Sequence, residues 1–100
     1  MLKSATTINP IHPGEVLQEE FMEPLGISAN KLAHRIDVPT NRITAIIKGQ
    51  RGVSGDTALR LSKVFGTTPE FWINIQGYYE IECAKDNTGA DIQKIEQFAA

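Results

Sequence analysis

Several features are scarce in this sequence of 100 residues, and each absence excludes a class of protein. The single cysteine, Cys83, cannot form an internal disulfide or complete a zinc site, so we expect it to be a small buried apolar residue. No apolar run reaches the length of a membrane span, and the N-terminal residues show no continuous hydrophobic signal region. There is also no glycine-rich phosphate loop and no evident Ser, His and Asp set. We therefore expect a cytoplasmic protein that is not an enzyme, needs no cofactor and does not enter a membrane.

An overall excess of basic residues, typical of proteins that bind nucleic acid, is missing too, since the net charge is −2. The distribution of the charges is uneven, however. Residues 31–63 hold seven Lys and Arg against two Asp, a local charge of +5, whereas the remainder holds three Lys against ten carboxylates, a charge of −7. A basic centre between acidic ends is a localised electrostatic footprint for nucleic acid, and scattered solvated charge is the alternative.

Apolar residues recur at helical spacing along most of the chain, and no strand alternation occurs, so the sequence predicts an all-α fold. Start and stop signals divide it into five helices. The starts are Pro13, Ser28, Pro39 or Thr40, Ser54, and Thr68 with Pro69, and the stops are Gly26, Asp37, Gly49, Gly66 and a break at Asn87 to Gly89. We expect an N-terminal arm (residues 1–11), a DNA-binding domain (residues 12–86) and a short amphipathic C-terminal segment (residues 87–100).

Two of these helices carry specific packing expectations. In the first, Leu17 and Phe21 lie four residues apart on one apolar face. The fifth has two apolar rows and is expected to bury more than one face, with Trp72 in the core or, less simply, at an interface with Tyr79. The rows are Phe71, Ile75, Tyr78 and Trp72, Tyr79, Cys83. The last segment, with Ile92, Ile95 and Phe98, is too short to be a stable helix alone, so it must dock on its own domain, a second protomer or another protein.

The most informative stretch, residues 28–49, has the pattern of a helix-turn-helix. Two short helices with apolar inner faces are joined by a turn of about three residues, in which Asp37 takes the place where glycine is usual and positive φ is expected. The second helix of such a motif lies in the DNA major groove. Pro39 stands where Ser or Thr commonly caps that helix, which leaves open whether Thr40 provides the cap.

The candidate DNA-binding side chains follow from this placement. Asn pairs bidentately with adenine and Arg with guanine, whereas Ala meets only a thymine methyl group. The groove-facing candidates are Thr40, Asn41, Arg42, Thr44 and Ala45. Ser28, Lys48 and Arg51 are expected to contact phosphates, and Asn30 joins the set from the preceding helix. The alternatives are local capping for Asn41 and a solvated charge for Arg42. Lys31 and Arg35 lie either near DNA or on an outer face.

Residues 28–49 resemble the helix-turn-helix of the phage-repressor and Cro-like (XRE) family, and the flanking motifs resemble the HigA antitoxins. These motifs are His-Pro-Gly-Glu at 12–15, Val-Ser-Gly-Asp-Thr-Ala-Leu-Arg-Leu-Ser at 53–62 and Phe-Gly-Thr-Thr-Pro-Glu-Phe-Trp-Ile-Asn-Ile-Gln at 65–76. The resemblance implies a five-helix domain that binds double-stranded operator DNA as a homodimer and represses its own operon. It also implies a HigB-like toxin partner, a ribosome-dependent ribonuclease of the RelE kind. A stand-alone repressor without a toxin is the main alternative.

A remote alternative from another class is a metal-dependent hydrolase. His12, Glu15 and Glu19 lie near one face of the predicted first helix, and a His with two carboxylates is a possible ligand set for a divalent metal. A helix-start histidine, a dipole-favoured Glu15 and a solvated face explain the same spacing more simply.

Overall fold

The computed structural model describes residues 10–99, so the first nine residues of the arm predicted over residues 1–11, including Ile8, lie outside the described part. The described residues form five helices and no strand, which confirms the all-α prediction. None of these helices is both long and apolar enough to cross a membrane. The first helix, α1, consists of Pro13–Val16, Leu17–Met22 and Glu23–Leu25, and it is followed by α2 (Ala29–Ile36), α3 (Thr40–Ile47), α4 (Gly55–Phe65) and α5 (Pro69–Ile92).

The predicted helix boundaries rest on local side-chain chemistry, and most of them are confirmed. Side-chain oxygens at the starts of α2, α4 and α5 accept hydrogen bonds from backbone N–H groups that have no partner inside the helix. These caps are Ser28 on Lys31 N, Ser54 on Thr57 N, and Thr68 on Phe71 N. After α1, α2 and α4 the chain turns through left-handed residues, which are Gly26, Asp37 and Gly66.

The middle of α1 is a π-helix over Leu17–Met22, in which the Glu23 N–H donates to the carbonyl oxygen of Gln18, five residues back. This changes which residues share a face. Leu17 and Met22, five residues apart, are both buried, whereas Phe21 is only half-buried. Phe21 packs against the core together with Leu17, as expected, and the π-helix adds Met22, which the α-helical period would place on another face.

A single core joins all five helices around Trp72, which is completely buried, as the sequence predicted. Its indole Nε1–H donates to Thr67 Oγ1 at 2.8 Å, so the one polar atom of the ring has a partner. Phe21, Phe65 and Phe71 surround the indole with ring centroids 5.1 to 6.5 Å away. The other buried apolar side chains are Leu17, Met22, Leu32, Ala33, Ile36, Ile43, Ile46, Val53, Ala58 and Leu61.

The predicted break at Asn87 to Gly89 is wrong, since α5 continues without interruption to Ile92. Weak helix formers cost only about 1 kcal/mol or less each once a helix is under way, and the Thr88 hydroxyl donates to the carbonyl oxygen of Ala84. The expected boundary at residue 87 thus falls inside α5. Residues 93–99 do not form the expected amphipathic helix, and Ile95 and Phe98 are exposed rather than docked on the described part of the chain.

Most residues of α5 are exposed in the single chain. Trp72 is its only buried residue, so the expectation that α5 buries more than one face is wrong for the single chain. Tyr78 is 72% exposed, and Ile81 and Ile92 are also exposed. Cys83 is half-buried, which corrects the expectation of a buried thiol. An apolar helix surface of this kind is typical of a contact with another molecule.

Candidate nucleic-acid interface

The helices α2 and α3 form the predicted helix-turn-helix, joined by residues 37–39. Asp37 has φ +60°, the left-handed conformation that the sequence predicted, and the next N–H, of Val38, donates to Ala33 O at 3.0 Å. This closes the end of α2 and aims the chain into α3. Ala33 is buried in the inner face of this pair, as expected for a small residue there.

The start of α3 is held from α2 rather than by a side-chain cap. Pro39 precedes the helix, and its carbonyl accepts from the Arg42 N–H, but no side chain caps the first turn. Thr40 is the first helical residue, and its hydroxyl donates to Asn30 Oδ1 at 2.7 Å. Two predicted DNA-binding residues are thus brought together, in a hydrogen bond that joins the N-terminal ends of α2 and α3.

Beyond this bond, α3 presents short polar side chains outward. Asn41 is exposed, while Thr44 and Ala45 are half-buried. The Thr44 hydroxyl donates to the Asn41 carbonyl oxygen at 3.3 Å, and the Asn41 side chain does not cap the helix, contrary to the alternative considered for it. Lys48, at the end of α3, and Arg51, in the loop that follows, are exposed cations. The Ser28 hydroxyl is used as the α2 cap.

The Arg42 side chain is partly buried and forms an ion pair. Its Nη1 donates to Asp56 Oδ2 at 3.0 Å, and Arg60 Nε donates to the same oxygen at 3.0 Å. Arg60 Nη1 reaches on to the Ile36 carbonyl oxygen at 2.8 Å, at the end of α2. The guanidinium group of Arg60 and, to a smaller extent, that of Arg42 hold the pKa of Asp56 below its ordinary value. Sequence reasoning missed Asp56 and Arg60, although their spacing of four residues on one helix was a usable signal.

Two further contacts fix α3 and the loop after it. Gly14 in α1 lies against the α3 backbone so closely that a Cβ there would overlap the carbonyl oxygen of Ile46. In the loop, the Val53 N–H donates to Gln76 Oε1 at 2.8 Å, and Gly52 lies against the same Gln76 side chain. The loop that carries Arg51 is therefore tied to α5, and α3 is tied to α1.

His12 serves the fold and not a metal site. Its Nδ1 accepts from the Gly14 N–H at 2.9 Å, which caps α1, and its ring lies edge-on to Tyr79 with centroids 4.8 Å apart. Burial lowers the pKa of His12, and the charge of Glu15 partly opposes this. Within residues 10–99, no three His, Cys, Asp or Glu side chains are placed together to hold a metal ion. The hydrolase hypothesis with His12, Glu15 and Glu19 therefore lacks its ligand set.

Comparisons with known proteins agree with this geometry. The model of the family HTH_3, Helix-turn-helix, matches residues 19–72. An addiction module antidote protein of the HigA family from Coxiella burnetii is 49% identical, with 91% of this chain and 100% of that chain covered and a TM-score of 0.86. The Pseudomonas aeruginosa antitoxin HigA, solved with the higBA promoter, is 38% identical, with 90% and 99% covered and a TM-score of 0.86. Virulence-associated protein I of Dichelobacter nodosus is 44% identical over 77 residues, which cover 77% of this chain and 71% of that protein.

Proposed function

The chain belongs to the helix-turn-helix family HTH_3, and we propose that it is a HigA-type antitoxin that binds operator DNA. As a homodimer it represses its own operon, and it neutralises a HigB-like toxin of the RelE kind, which cleaves mRNA. The observation that carries the DNA-binding part is the exposed polar face of α3, held at its start by the hydrogen bond between Thr40 and Asn30. The polar start of a recognition helix is the part that meets base edges.

The roles of the individual side chains follow from where they lie. Asn41 and Arg42, in the first turn of α3, read base edges, and Thr44 and Ala45 contact the groove one turn later. Lys48, Arg51 and the Ser28 end of α2 contact phosphates, which set the orientation but not the sequence preference. These contacts lie within residues 31–63 or at their edge, where the local charge is +5.

A single domain of this size offers few phosphate contacts, so we propose that two copies bind together. Two recognition helices about 34 Å apart on one side of B-DNA read a pseudo-palindrome. The dimer surface is the outer part of α5, where Tyr78, Ile81 and Ile92 are exposed in the single chain. A groove of about 490 Å³, lined by Ile11, Val16, Ile75, Tyr78 and others, lies next to this surface and extends it onto α1.

The toxin part of the proposal is supported by the relatives, an addiction module antidote protein and an antitoxin HigA. The sequence outside residues 31–63 carries a net charge of −7, which favours a basic partner away from the DNA-binding face. Because both the operator and the mRNA that such a toxin cleaves are cytoplasmic, we place the protein in the cytoplasm.

Equilibrium binding to the DNA upstream of the protein's own gene, measured by fluorescence anisotropy across salt concentrations, tests the DNA-binding part. We expect the logarithm of the association constant to fall linearly with the logarithm of the salt concentration, with a slope of about −0.9 for each phosphate contacted. Arg42→Ala should relax the sequence preference, whereas Lys48→Ala should weaken binding to all sequences alike and make the slope shallower by about 1 for each copy bound. Binding that ignores salt, or no binding, would overturn the proposal.

Co-expression tests the toxin part. A basic protein encoded beside this gene should arrest growth when it is expressed alone. Expression of this chain together with that protein should restore growth, and the two proteins should co-purify. A neighbour that is harmless or does not co-purify would leave a stand-alone repressor as the function.

A further inference from the structure

A carboxylate outside the recognition helix fixes the position of Arg42. We infer that Asp56, in the first turn of α4, is a positioning residue that sets the base preference of Arg42. This inference rests on the DNA-binding function proposed above, and it adds a specificity determinant that does not itself contact a base.

Asp56 is held in place from the helix-turn-helix itself. Its Oδ2 accepts from Arg42 Nη1 and from Arg60 Nε, both at 3.0 Å. Arg60 in turn donates to the carbonyl oxygens of Ile36 at 2.8 Å and Asp37 at 3.4 Å, where α2 ends and the turn begins. The acceptor for Arg42 therefore has a defined position relative to both helices of the motif.

Arg42 has little freedom once Nη1 is bound. Its side chain is 24% exposed, and its Nε is buried without a hydrogen-bond partner among the described residues. The guanidinium group is planar, so fixing Nη1 and enclosing Nε also fix the direction of the N–H groups at Nη2. Within residues 10–99 no acceptor is paired with Nη2. A guanidinium that is already oriented loses less side-chain entropy on binding and discriminates more sharply by geometry.

The opposite role makes a different prediction. If Asp56 merely competed with DNA for Arg42, its removal would free the guanidinium and strengthen its contact with a base. If Asp56 orients Arg42, its removal weakens discrimination at one base pair of each half-site. In both cases the loss of a negative charge near DNA favours phosphate contacts, so affinity alone does not separate the two roles, whereas discrimination does.

The experiment measures the dissociation constants of the wild-type dimer and of Asp56→Asn for the natural operator and for operators with each base pair replaced in turn. Arg42→Ala first identifies the base pair at which Arg42 discriminates, by about 5- to 150-fold in the wild type. We expect Asp56→Asn to lose at least about fivefold of that discrimination, to keep the discrimination at the other base pairs, and to bind unrelated DNA as tightly as the wild type or more tightly.

Three controls make the result specific. Glu20→Gln removes the same charge from an exposed position on α1 and should change no discrimination. In the Arg42→Ala background, Asp56→Asn should have no further effect at that base pair. Arg60→Lys keeps the charge but loses the forked geometry, and it should reproduce part of the loss even if Asp56→Asn proves too unstable to fold, which thermal unfolding would reveal.

Unchanged or increased discrimination at the Arg42 base pair in a folded Asp56→Asn or Arg60→Lys protein would overturn the inference and leave the proposed function intact. If Arg42→Ala alters no base preference, the inference falls together with the base-reading role proposed for Arg42, while operator binding by the protein is unaffected. Failure of the wild type to bind its upstream DNA would instead overturn the proposed function, and this inference with it.

Discussion

The close approach of α1 to α3 yields a prediction whose size follows from the structure. In Gly14→Ala, the new Cβ would overlap Ile46 O and lie 2.6 Å from the carbonyl carbon of Ile46 and 2.9 Å from the Cα of Ile47. All three neighbours are backbone atoms, so no side-chain rotation relieves the clash, and the helices must separate by roughly 1.5 Å to restore normal contact. Overpacking of this kind costs about 1–3 kcal/mol, and the gain in helix propensity returns at most about 1 kcal/mol.

We therefore expect Gly14→Ala to lower the free energy of unfolding by about 1–2 kcal/mol, which corresponds to a Tm lower by roughly 4–16 °C. Gly77→Ala is the matched control, because a Cβ there meets nothing within 4 Å inside α5. That substitution should raise the free energy of unfolding by about 0.5–1 kcal/mol. Differential scanning calorimetry measures both. A Gly14→Ala protein that unfolds at or above the wild-type temperature would refute the close-packing argument.

Two further predictions concern the ends of the described structure. Because burial lowers the pKa of His12 below its ordinary value of about 6.5, its neutral form is favoured in the fold. The contribution of His12 to stability is complete above that value and is lost as the pH falls through the lowered pKa of the folded state. The unfolding temperatures at pH 7.5 and pH 5.5 should therefore differ less in His12→Asn than in the wild type. This substitution retains a side-chain oxygen that can cap the helix. Removal of residues 93–100 should change the free energy of unfolding of the monomer by no more than about 0.5 kcal/mol, because residues 93–99 are exposed. The same removal should weaken the dimer in sedimentation equilibrium, because the exposed apolar side chains of Ile95 and Phe98 follow directly after the proposed dimer surface on α5. A destabilised monomer would show instead that this segment packs on its own domain.

The parts of the fold that could be predicted from sequence are those that local chemistry specifies. Ser28, Ser54 and Thr68 cap the helices that they were expected to cap, because each lies three residues before the N–H that it accepts. Asp37 adopts the left-handed conformation, as predicted from its position in a turn where glycine is usual. The identity of α2 and α3 as a helix-turn-helix followed from the same short-range signals.

The errors arose where a non-local contact or an irregular turn decides the structure. A period of 3.6 residues cannot reveal the π-helix in α1, and a list of weak helix formers cannot show that α5 runs past residue 87. The pairing of Arg42 with Asp56 joins two helices over fourteen residues, so neither its existence nor the partial burial of Arg42 could be predicted from the recognition helix alone. The hydrogen bond between Thr40 and Asn30 depends in the same way on how two helices pack.

The contact of Gln76 with Val53 has a consequence for how such a protein diverges. In the dimer proposed above, α5 both joins the copies and, through Gln76, holds the loop that follows the recognition helix. The separation of the two half-sites is then a property of α5, while the bases within each half-site depend on α3 and on Asp56. Substitutions on α3 can therefore change the sequence of the operator while its length stays the same. A change in α5 would alter the length of the operator while the bases read in each half-site stay the same.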